Sequence, residues 1–268
     1  MRNPLRRRSR AAAPVPPSPR QAAVDAVPFW WHSIDFGDGV VSPGHKTPEI
    51  LADELATLDL GDLTGRSVLD VGAWDGGFSF ACERAGAARV VALDHFIWEL
   101  DLSGMGPPRD GRPTVTPADP ALPGKVGFDT AHRLLASRVE PVHASFEAMD
   151  LASLGQFDVV LFLGVLYHLE DPLGGLRRVR SLVAPGGSCL LETHAILTDE
   201  PDRALWEMYP GKELGEDPTN WWGPSMAGLI AGCRAAGFAD VEILRGPPEG
   251  LVNPPGFYRA IVRCRVAG

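Results

Sequence analysis

The stretch VLDVGAWDGG, residues 68–77, decides the fold because it joins an apolar run to a glycine turn and then to a helical pattern. A strand that enters such a turn is typical of α/β proteins, and the glycines let a ligand approach the backbone closely. Twenty-two residues after Gly72, the apolar run Arg89–Leu93 ends in Asp94, whose carboxylate can accept both hydroxyls of a ribose. The two features together predict an adenosine site, with a plain strand-to-helix turn as the alternative.

Short apolar runs alternate with helical patterns from Val68 onward, which is typical of a parallel sheet with helices on both faces. We predict an α/β doubly wound fold with a mostly parallel, seven-stranded sheet. Its final strand is expected to be antiparallel, because no long helix separates the last two strands. The predicted strands are 67–71, 89–94, 139–144, 157–163, 188–194, 241–245 and 258–266. The predicted helices are 47–58, 78–85, 128–136, 172–182 and 225–236.

Charge and composition divide the chain into parts. Residues 1–20 hold six arginines and no acid, so the rest of the chain carries a net charge of −15 against −9 for the whole. An acidic body disfavours extended binding to nucleic acid. We predict a disordered, basic, proline-rich tail over 1–24, an N-terminal lid segment over 25–60, and a cofactor-binding domain over 61–268 with insertions at 101–126 and 195–224.

The sequence lacks the patterns that are typical of membrane-spanning, disulfide-rich and metal-binding proteins. The longest apolar run, Val159–Tyr167, is half or less of the roughly 20 residues that a membrane-spanning helix needs, so we predict no membrane segment. The four cysteines lie far apart in sequence, which favours the reducing cytoplasm over a disulfide framework. The seven histidines show neither HxH nor HExxH spacing, so we predict no metal site.

The spacing of the glycines indicates which adenosine ligand is bound. Gly72, Gly76 and Gly77 do not form the G-x-G-x-x-G pattern of dinucleotide sites, and Asp75 between them would repel a pyrophosphate. No P-loop lysine follows the strand. The D-x-G-x-x-x-G form resembles the S-adenosylmethionine (SAM) site of class I methyltransferases. A sulfonium and an α-amino group both suit an acidic pocket, so this resemblance implies SAM.

Two further strand ends carry candidate site residues. After the third strand, Phe146 and Glu147 place a ring and an acid where an adenine can be stacked and its amino group bonded. The alternative is that Phe146 belongs to the core and Glu147 is an acid at a helix N-terminus. The fourth strand ends in Tyr167 and His168, which we expect near the reacting methyl group. A histidine bonded to backbone in the turn is the alternative for His168.

Five segments resemble the SAM-dependent methyltransferases related to the bacterial tRNA wobble-uridine carboxymethyltransferase. They are WHSID (31–35), VLDVGAWDGG (68–77), FDVVLFLGVLYHLEDP (157–172), LET (191–193) and NWWGP (220–224). The resemblance covers about residues 28–266 and implies a Rossmann-like methyltransferase fold. It implies cofactor contacts from Gly72, Ala73 and Asp75 at the methionine part, Asp94, His95 and Phe96 at the ribose, Phe146 and Glu147 at the adenine, and Leu163.

Three more residues match positions that lie near the extra carboxylate of carboxy-SAM in the carboxymethyltransferase, namely Tyr167, Arg259 and Lys46. That enzyme has a longer N-terminal portion with a further carboxylate-binding lysine, and residues 1–28 contain no counterpart. We therefore predict SAM as the cofactor, with carboxy-SAM as the alternative.

The predicted function is methyl transfer from SAM to a small-molecule acceptor, such as a specialised metabolite, with neither nucleic acid nor membrane as partner. One alternative is carboxymethyl transfer to tRNA wobble uridine, and another is a SAM-binding protein without transferase activity. The acceptor, the attacked atom and the oligomeric state are not predicted.

Methyl transfer is accelerated mainly by aligning the acceptor with the methyl group, and a base is needed only if the acceptor loses a proton. His32, His168 and His194 are the candidate bases, because histidine titrates near neutral pH. Tyr167 and Arg259 complete the candidate catalytic set. The tryptophans of the lid and of the second insertion either stack on the acceptor or form the core of the lid; they are Trp30, Trp31, Trp221 and Trp222.

Overall fold

A computed structural model of the chain describes residues 16–100, 123–249 and 256–268. The described helices are α1 (Pro19–Asp25), α2 (Pro48–Leu58), α3 (Gly77–Arg84), α4 (Val126–Leu135), α5 (Pro172–Leu182) and α6 (Met226–Ala235). The described strands are β1 (Ser67–Val71), β2 (Arg89–Asp94), β3 (Glu140–His143), β4 (Phe157–Leu163), β5 (Val183–Ile196), β6 (Trp206–Met208), β7 (Trp222–Pro224), β8 (Asp240–Arg245) and β9 (Phe257–Arg265).

The main sheet has seven strands in the order β3-β2-β1-β4-β5-β9-β8. Strands β1 to β5 in this sheet are parallel, whereas β9 runs antiparallel to both β5 and β8. The predicted doubly wound, mostly parallel sheet with an antiparallel final strand is thereby confirmed. Strands β2 and β3 lie on one side of β1, whereas β4 and β5 lie on the other, so the order of the strands reverses between β1 and β4. In open α/β sheets, ligands bind at such a point, beyond the carboxyl ends of the strands.

Helices cover both faces of the sheet, and two large apolar clusters fill the two interfaces. Helix α5 shows how the sequence produces this packing. The Asp171 side chain caps its first turn by accepting a hydrogen bond from Gly174 N, and Pro172 occupies the first helical position, where no N–H is needed. Leu176, Val179 and Leu182 recur at helical spacing and are buried against the sheet.

The described part of the N-terminal tail contains a helix. Helix α1 includes residues 19–24 of the tail predicted as disordered, and residues 1–15 lie outside the described residues. Ser18 caps this helix, and Val24 is completely buried, so burial of a single apolar side chain anchors its end. The segment 25–60 also contributes core residues, among them Trp30 and Ile34, so it packs against the sheet as part of the domain. A lid function for it stays a prediction.

The other differences concern lengths and insertions. Strand β5 has 14 residues and begins before the predicted segment 188–194. The insertion 195–224 contains a hairpin-like pair, β6 and β7, that the sequence analysis did not predict. Most of the predicted insertion 101–126, residues 101–122, lies outside the described residues. Within the described residues, no helix is long and apolar enough to cross a membrane.

Candidate functional site

The turn after β1 has a backbone that only a glycine-rich sequence adopts easily. Gly72 has a φ of +77° and is exposed, and its N–H donates to Leu93 O over 2.8 Å, which ties the ends of β1 and β2 together. A Cβ at Gly72 would lie 2.6 Å from Val165 Cγ2, so the neighbouring loop leaves no space for one. Trp74 also has a positive φ, +53°, which is rare for a bulky residue. The turn therefore presents bare backbone beside the end of β4.

Asp94 ends β2 directly beside this turn. Its carboxylate is buried and accepts hydrogen bonds from Trp74 N at 2.8 Å and Ile97 N at 3.2 Å, one on each oxygen. Burial raises the pKa of Asp94 to about 6, because the charged form loses its hydration. Each carboxylate oxygen has a second lone pair that can accept a ribose hydroxyl. The neighbouring His95 and Phe96 are exposed, with 46% of Phe96 accessible.

The structure pairs Asp75 with the candidate base His32. Asp75 is 1% exposed and accepts hydrogen bonds from the backbone N–H groups of Trp31 and His32, at 2.7 and 3.0 Å, and a close one from His32 Nδ1. Phe78 packs edge-on against the His32 ring. Both side chains hold the N-terminal segment to the glycine turn. The roles of Asp75 in cofactor contact and of His32 in proton transfer stay predictions. The contact spans 43 residues of sequence, so local patterns give no signal of it.

Lys46 lies near Leu163, at the carboxyl end of β4. Its Nζ donates to Glu54 Oε2 over 2.6 Å and stands 5.1 Å from the centre of the Phe78 ring. Both charged side chains are largely buried. Leu163 and Glu192 line the same small cavity as Lys46. The predicted cation is thus present near the predicted cofactor residue Leu163, but its charge is compensated by a glutamate that the sequence analysis did not single out.

The second predicted cation, Arg259, forms an ion pair with Glu192 and contacts Tyr167. The register of β5 and β9 places Arg259 opposite His194, and Glu192 lies two residues earlier on β5. Arg259 binds Glu192 with two guanidinium nitrogens, one of them Nη2 at 2.6 Å from Oε2. Nη2 also lies 3.4 Å from the Tyr167 hydroxyl, and the guanidinium covers the Tyr167 ring at 4.8 Å. Burial raises the pKa of Tyr167, so its hydroxyl stays protonated.

The candidate base His168 is bonded to backbone, as its alternative interpretation predicts. Its Nδ1 lies 3.0 Å from Thr219 O, and since a carbonyl only accepts, Nδ1 carries the hydrogen. Burial lowers the pKa of His168, which leaves the ring neutral with Nε2 as an acceptor. Trp221 N donates to Tyr167 O over 2.7 Å. The insertion 195–224 is therefore docked on the turn after β4.

His194 is the candidate base with an unused polar atom. Its side chain is buried, and Nε2 has no hydrogen-bond partner among the described residues. Burial, and then the nearby Arg259 charge, lower the pKa of His194 to about 4. Phe257 and Tyr209 flank the ring, with centroids 4.8 and 5.9 Å away. The lowered pKa keeps the imidazole neutral, and Nε2 can then accept a hydrogen bond. The role of His194 as a base stays a prediction.

Some of the candidate aromatic residues lie in the core, and others are stacked or bonded near the surface. The Phe146 ring is 8% exposed and packs 5.4 Å from the Phe162 ring in the core, while Glu147 is exposed. Their roles at the adenine stay predictions. Trp30 is a core residue, whereas Trp31 is stacked between Trp74 at 4.5 Å and His45 at 4.8 Å. Trp222 Nε1 donates to the Glu170 backbone over 3.3 Å.

A comparison with protein families decides the class. The model of the family described as methyltransferase domain matches residues 44–241, which is most of the chain. The chain belongs to the methyltransferase domain family. This membership confirms the predicted enzyme class, the SAM-dependent methyltransferases, and SAM as the cofactor of that class.

Curated relatives agree with the resemblance to the carboxymethyltransferase branch. The tRNA U34 carboxymethyltransferase of Klebsiella pneumoniae is 30% identical over 188 residues, which is 69% of this chain and 47% of that protein. Its namesake from Edwardsiella ictaluri is 29% identical over 195 residues, 72% of this chain and 50% of that protein. The methyltransferase-family chain thus spans about half the length of the curated relatives it matches.

Two solved structures that contain S-adenosylhomocysteine share the fold. The N-terminal domain of EvdMO1, solved with S-adenosylhomocysteine (SAH) and D-fucose, superposes with a TM-score of 0.61 and 19% identity, covering 92% of this chain and 95% of that one. The 1,6-didemethyltoxoflavin N1-methyltransferase of Burkholderia thailandensis gives a TM-score of 0.50 and 19% identity, with coverage of 81% and 78%. These likenesses support the Rossmann-like fold of this methyltransferase.

Proposed function

We propose that this methyltransferase transfers a methyl group from SAM to a small-molecule acceptor. The choice of cofactor rests on one observation: the two cations predicted to bind the extra carboxylate are each already paired with a glutamate. Arg259 is bound by Glu192 and Lys46 by Glu54. An additional ligand carboxylate would have to share a cation that a glutamate already neutralises, so it would gain less from Arg259 or Lys46 than from a free cation. A donor whose transferred group carries no charge, SAM, needs no such cation.

The reaction is an in-line displacement in which SAM supplies an electrophilic methyl carbon. The acceptor atom forms a bond to that carbon as the carbon–sulfur bond breaks and its electron pair stays on sulfur, which yields SAH. In this proposal the bare backbone at Gly72 and Ala73 holds the methionine part and Asp94 holds the ribose. Tyr167 and His194 line the acceptor side, where His194 Nε2 orients the acceptor by accepting a hydrogen bond.

Two further observations support a small acceptor over tRNA. The body of the chain carries a net charge of −15, which opposes a phosphate backbone. The two structural relatives named above were solved or named with small molecules, D-fucose and 1,6-didemethyltoxoflavin. Against this, the curated relatives carry a tRNA in their names, so tRNA is the acceptor that a test must include. We also place the enzyme in the cytoplasm, which the four free, buried cysteines support.

We expect competition calorimetry on the purified chain to show that SAM binds at least as tightly as carboxy-SAM. In the same preparation, total tRNA at low salt should bind weakly, and SAH should form with an acceptor from a small-molecule panel. A hundredfold preference for carboxy-SAM, or tight salt-sensitive binding of tRNA, would support the carboxymethyltransferase alternative. SAM binding without SAH formation across the whole panel would support a binding protein without transferase activity.

Asp94→Ala is expected to weaken SAM binding by roughly 1.5–3 kcal/mol, because it removes charged hydrogen bonds to the ribose. The pKa of about 6 adds a pH signature: protonation removes acceptor capacity, so wild-type affinity should rise from pH 5 to pH 7 and the variant's should not. Calorimetry at several pH values measures both effects. Asp129→Ala, which removes an exposed carboxylate paired with Lys125, is the matched control. Unchanged affinity in Asp94→Ala would contradict the ribose assignment.

A further inference from the structure

Two neighbouring strands bring two histidines together. Strands β2 and β3 are parallel, and their register pairs Asp94 with His143. His95 follows Asp94 directly, so its imidazole lies beside that of His143, with nearly parallel rings 5.7 Å apart. Glu99 comes from the short 3-10 helix Ile97–Glu99 that follows His95. His95 and Glu99 are four residues apart in one loop, whereas His143 lies 48 residues after His95 and is brought to them by the pairing of β2 with β3.

The donor atoms of these side chains converge. Glu99 Oε1 lies 2.9 Å from His143 Nε2 and 3.4 Å from His95 Nε2, and all three atoms are within 4.8 Å of one another. Around a tetrahedral zinc ion with bonds of about 2.0–2.1 Å, neighbouring ligand atoms stand about 3.3 Å apart. The distances from Glu99 Oε1 to the two imidazole nitrogens are therefore already close to those around one ion.

Buried structure holds the cluster in place. The His143 ring lies 6.3 Å from the ring of Trp98, which is completely buried and donates through Nε1 to Trp74 O over 2.7 Å. The Glu99 backbone N–H donates to His95 O over 3.2 Å. The donors are themselves accessible, with 27–44% of their side-chain surface exposed, so an ion can enter from solvent. Preorganised, accessible ligands are what a metal site requires.

We propose that His95, Glu99 and His143 form a divalent-cation site of the zinc class. Two imidazole nitrogens and one carboxylate oxygen are ligands that Zn²⁺ accepts, and three protein ligands leave a fourth position for water. The site is separate from the proposed methyl-transfer groups at Tyr167 and His194. A bound ion would link the loop after β2 to β3 beside the ribose position, and it would make His95 a metal ligand in place of its predicted ribose contact.

The test is zinc binding to the untagged full chain after removal of metals with a chelator. Titration with a competing zinc dye should show one site per chain, and Co²⁺ should give the absorption bands of tetrahedral coordination. Zinc should also raise the melting temperature, because it binds only the folded chain. His143→Gln and Glu99→Gln should each weaken zinc binding at least about tenfold, the lower range for disturbed metal sites.

His45→Gln is the matched control, since His45 is an exposed histidine outside the cluster. Circular dichroism checks that each variant is folded, which the exposure of the replaced side chains favours. The proposal is overturned if the wild-type chain binds no zinc at micromolar concentration. It is equally overturned if His143→Gln and Glu99→Gln bind zinc as well as His45→Gln does.

Discussion

Replacing Asp75 by alanine is expected to lower the free energy of unfolding by about 3–5 kcal/mol, the range for breaking a buried polar pair. The carboxylate is 1% exposed and accepts hydrogen bonds from two backbone N–H groups and from His32. Its loss leaves these donors buried and unsatisfied, and each such group carries its own desolvation penalty. The attachment of the N-terminal segment to the glycine turn should fail first.

Urea denaturation of both proteins at the same pH measures this effect. Asp53→Ala is the control, because it removes an exposed aspartate of helix α2, in the same segment, that pairs with Arg245. Exposed pairs contribute little, so the control should unfold nearly as the wild type does. If Asp75→Ala and Asp53→Ala unfold at the same urea concentration, the hydrogen bonds between Asp75 and the N-terminal segment do not support the fold.

Gly72→Ala is expected to weaken SAM binding by roughly tenfold to a hundredfold. The new Cβ would lie 2.6 Å from Val165 Cγ2, and Val165 has a stiff side chain, so the loop after β4 must shift. Overpacking of this kind costs about 1–3 kcal/mol, and here the shift falls where backbone and cofactor approach each other. The positive φ of +77° adds strain for any side chain.

Gly61→Ala separates the conformational cost from the steric one. Gly61 also has a positive φ, +66°, but a Cβ there meets no atom of the described residues within 4 Å. Both variants should lose stability from the backbone conformation, and only Gly72→Ala should lose cofactor affinity in calorimetry. Equal SAM affinities for the two variants would show that the glycine turn does not approach the cofactor.

The central strands are the part of the fold that the sequence predicts best. Strands β1, β2 and β4 match their predicted limits, because each is rich in Val and Leu and is buried over most of its length. Strand β5 is longer than predicted since Pro185, Gly186 and Gly187 are turn-forming residues, yet they continue the strand. The β6–β7 pair was missed because three-residue strands contain too few positions to show a period.

Residues of the candidate site can be predicted from sequence only where a local motif, such as the end of a strand, marks them. Gly72 and Asp94 follow from strand ends, and the structure places them together, joined through the backbone of the same turn. The partners that compensate charge were not predictable, since Glu192 meets Arg259 across 67 residues. The cluster of His95, Glu99 and His143 was missed for the same reason: its spacing becomes meaningful only once β2 and β3 are known to be neighbours.

The position of β9 has a consequence for synthesis on the ribosome. Strand β9 is the last strand along the chain, yet it lies in the sheet between β5 and β8. Until residues 257–265 have left the exit tunnel, β5 has an open edge and β8 has no neighbour in the sheet. Open strand edges are templates for association with other chains. The nascent methyltransferase is therefore most exposed to aggregation just before β9 emerges, when most of the described core residues are already outside the tunnel.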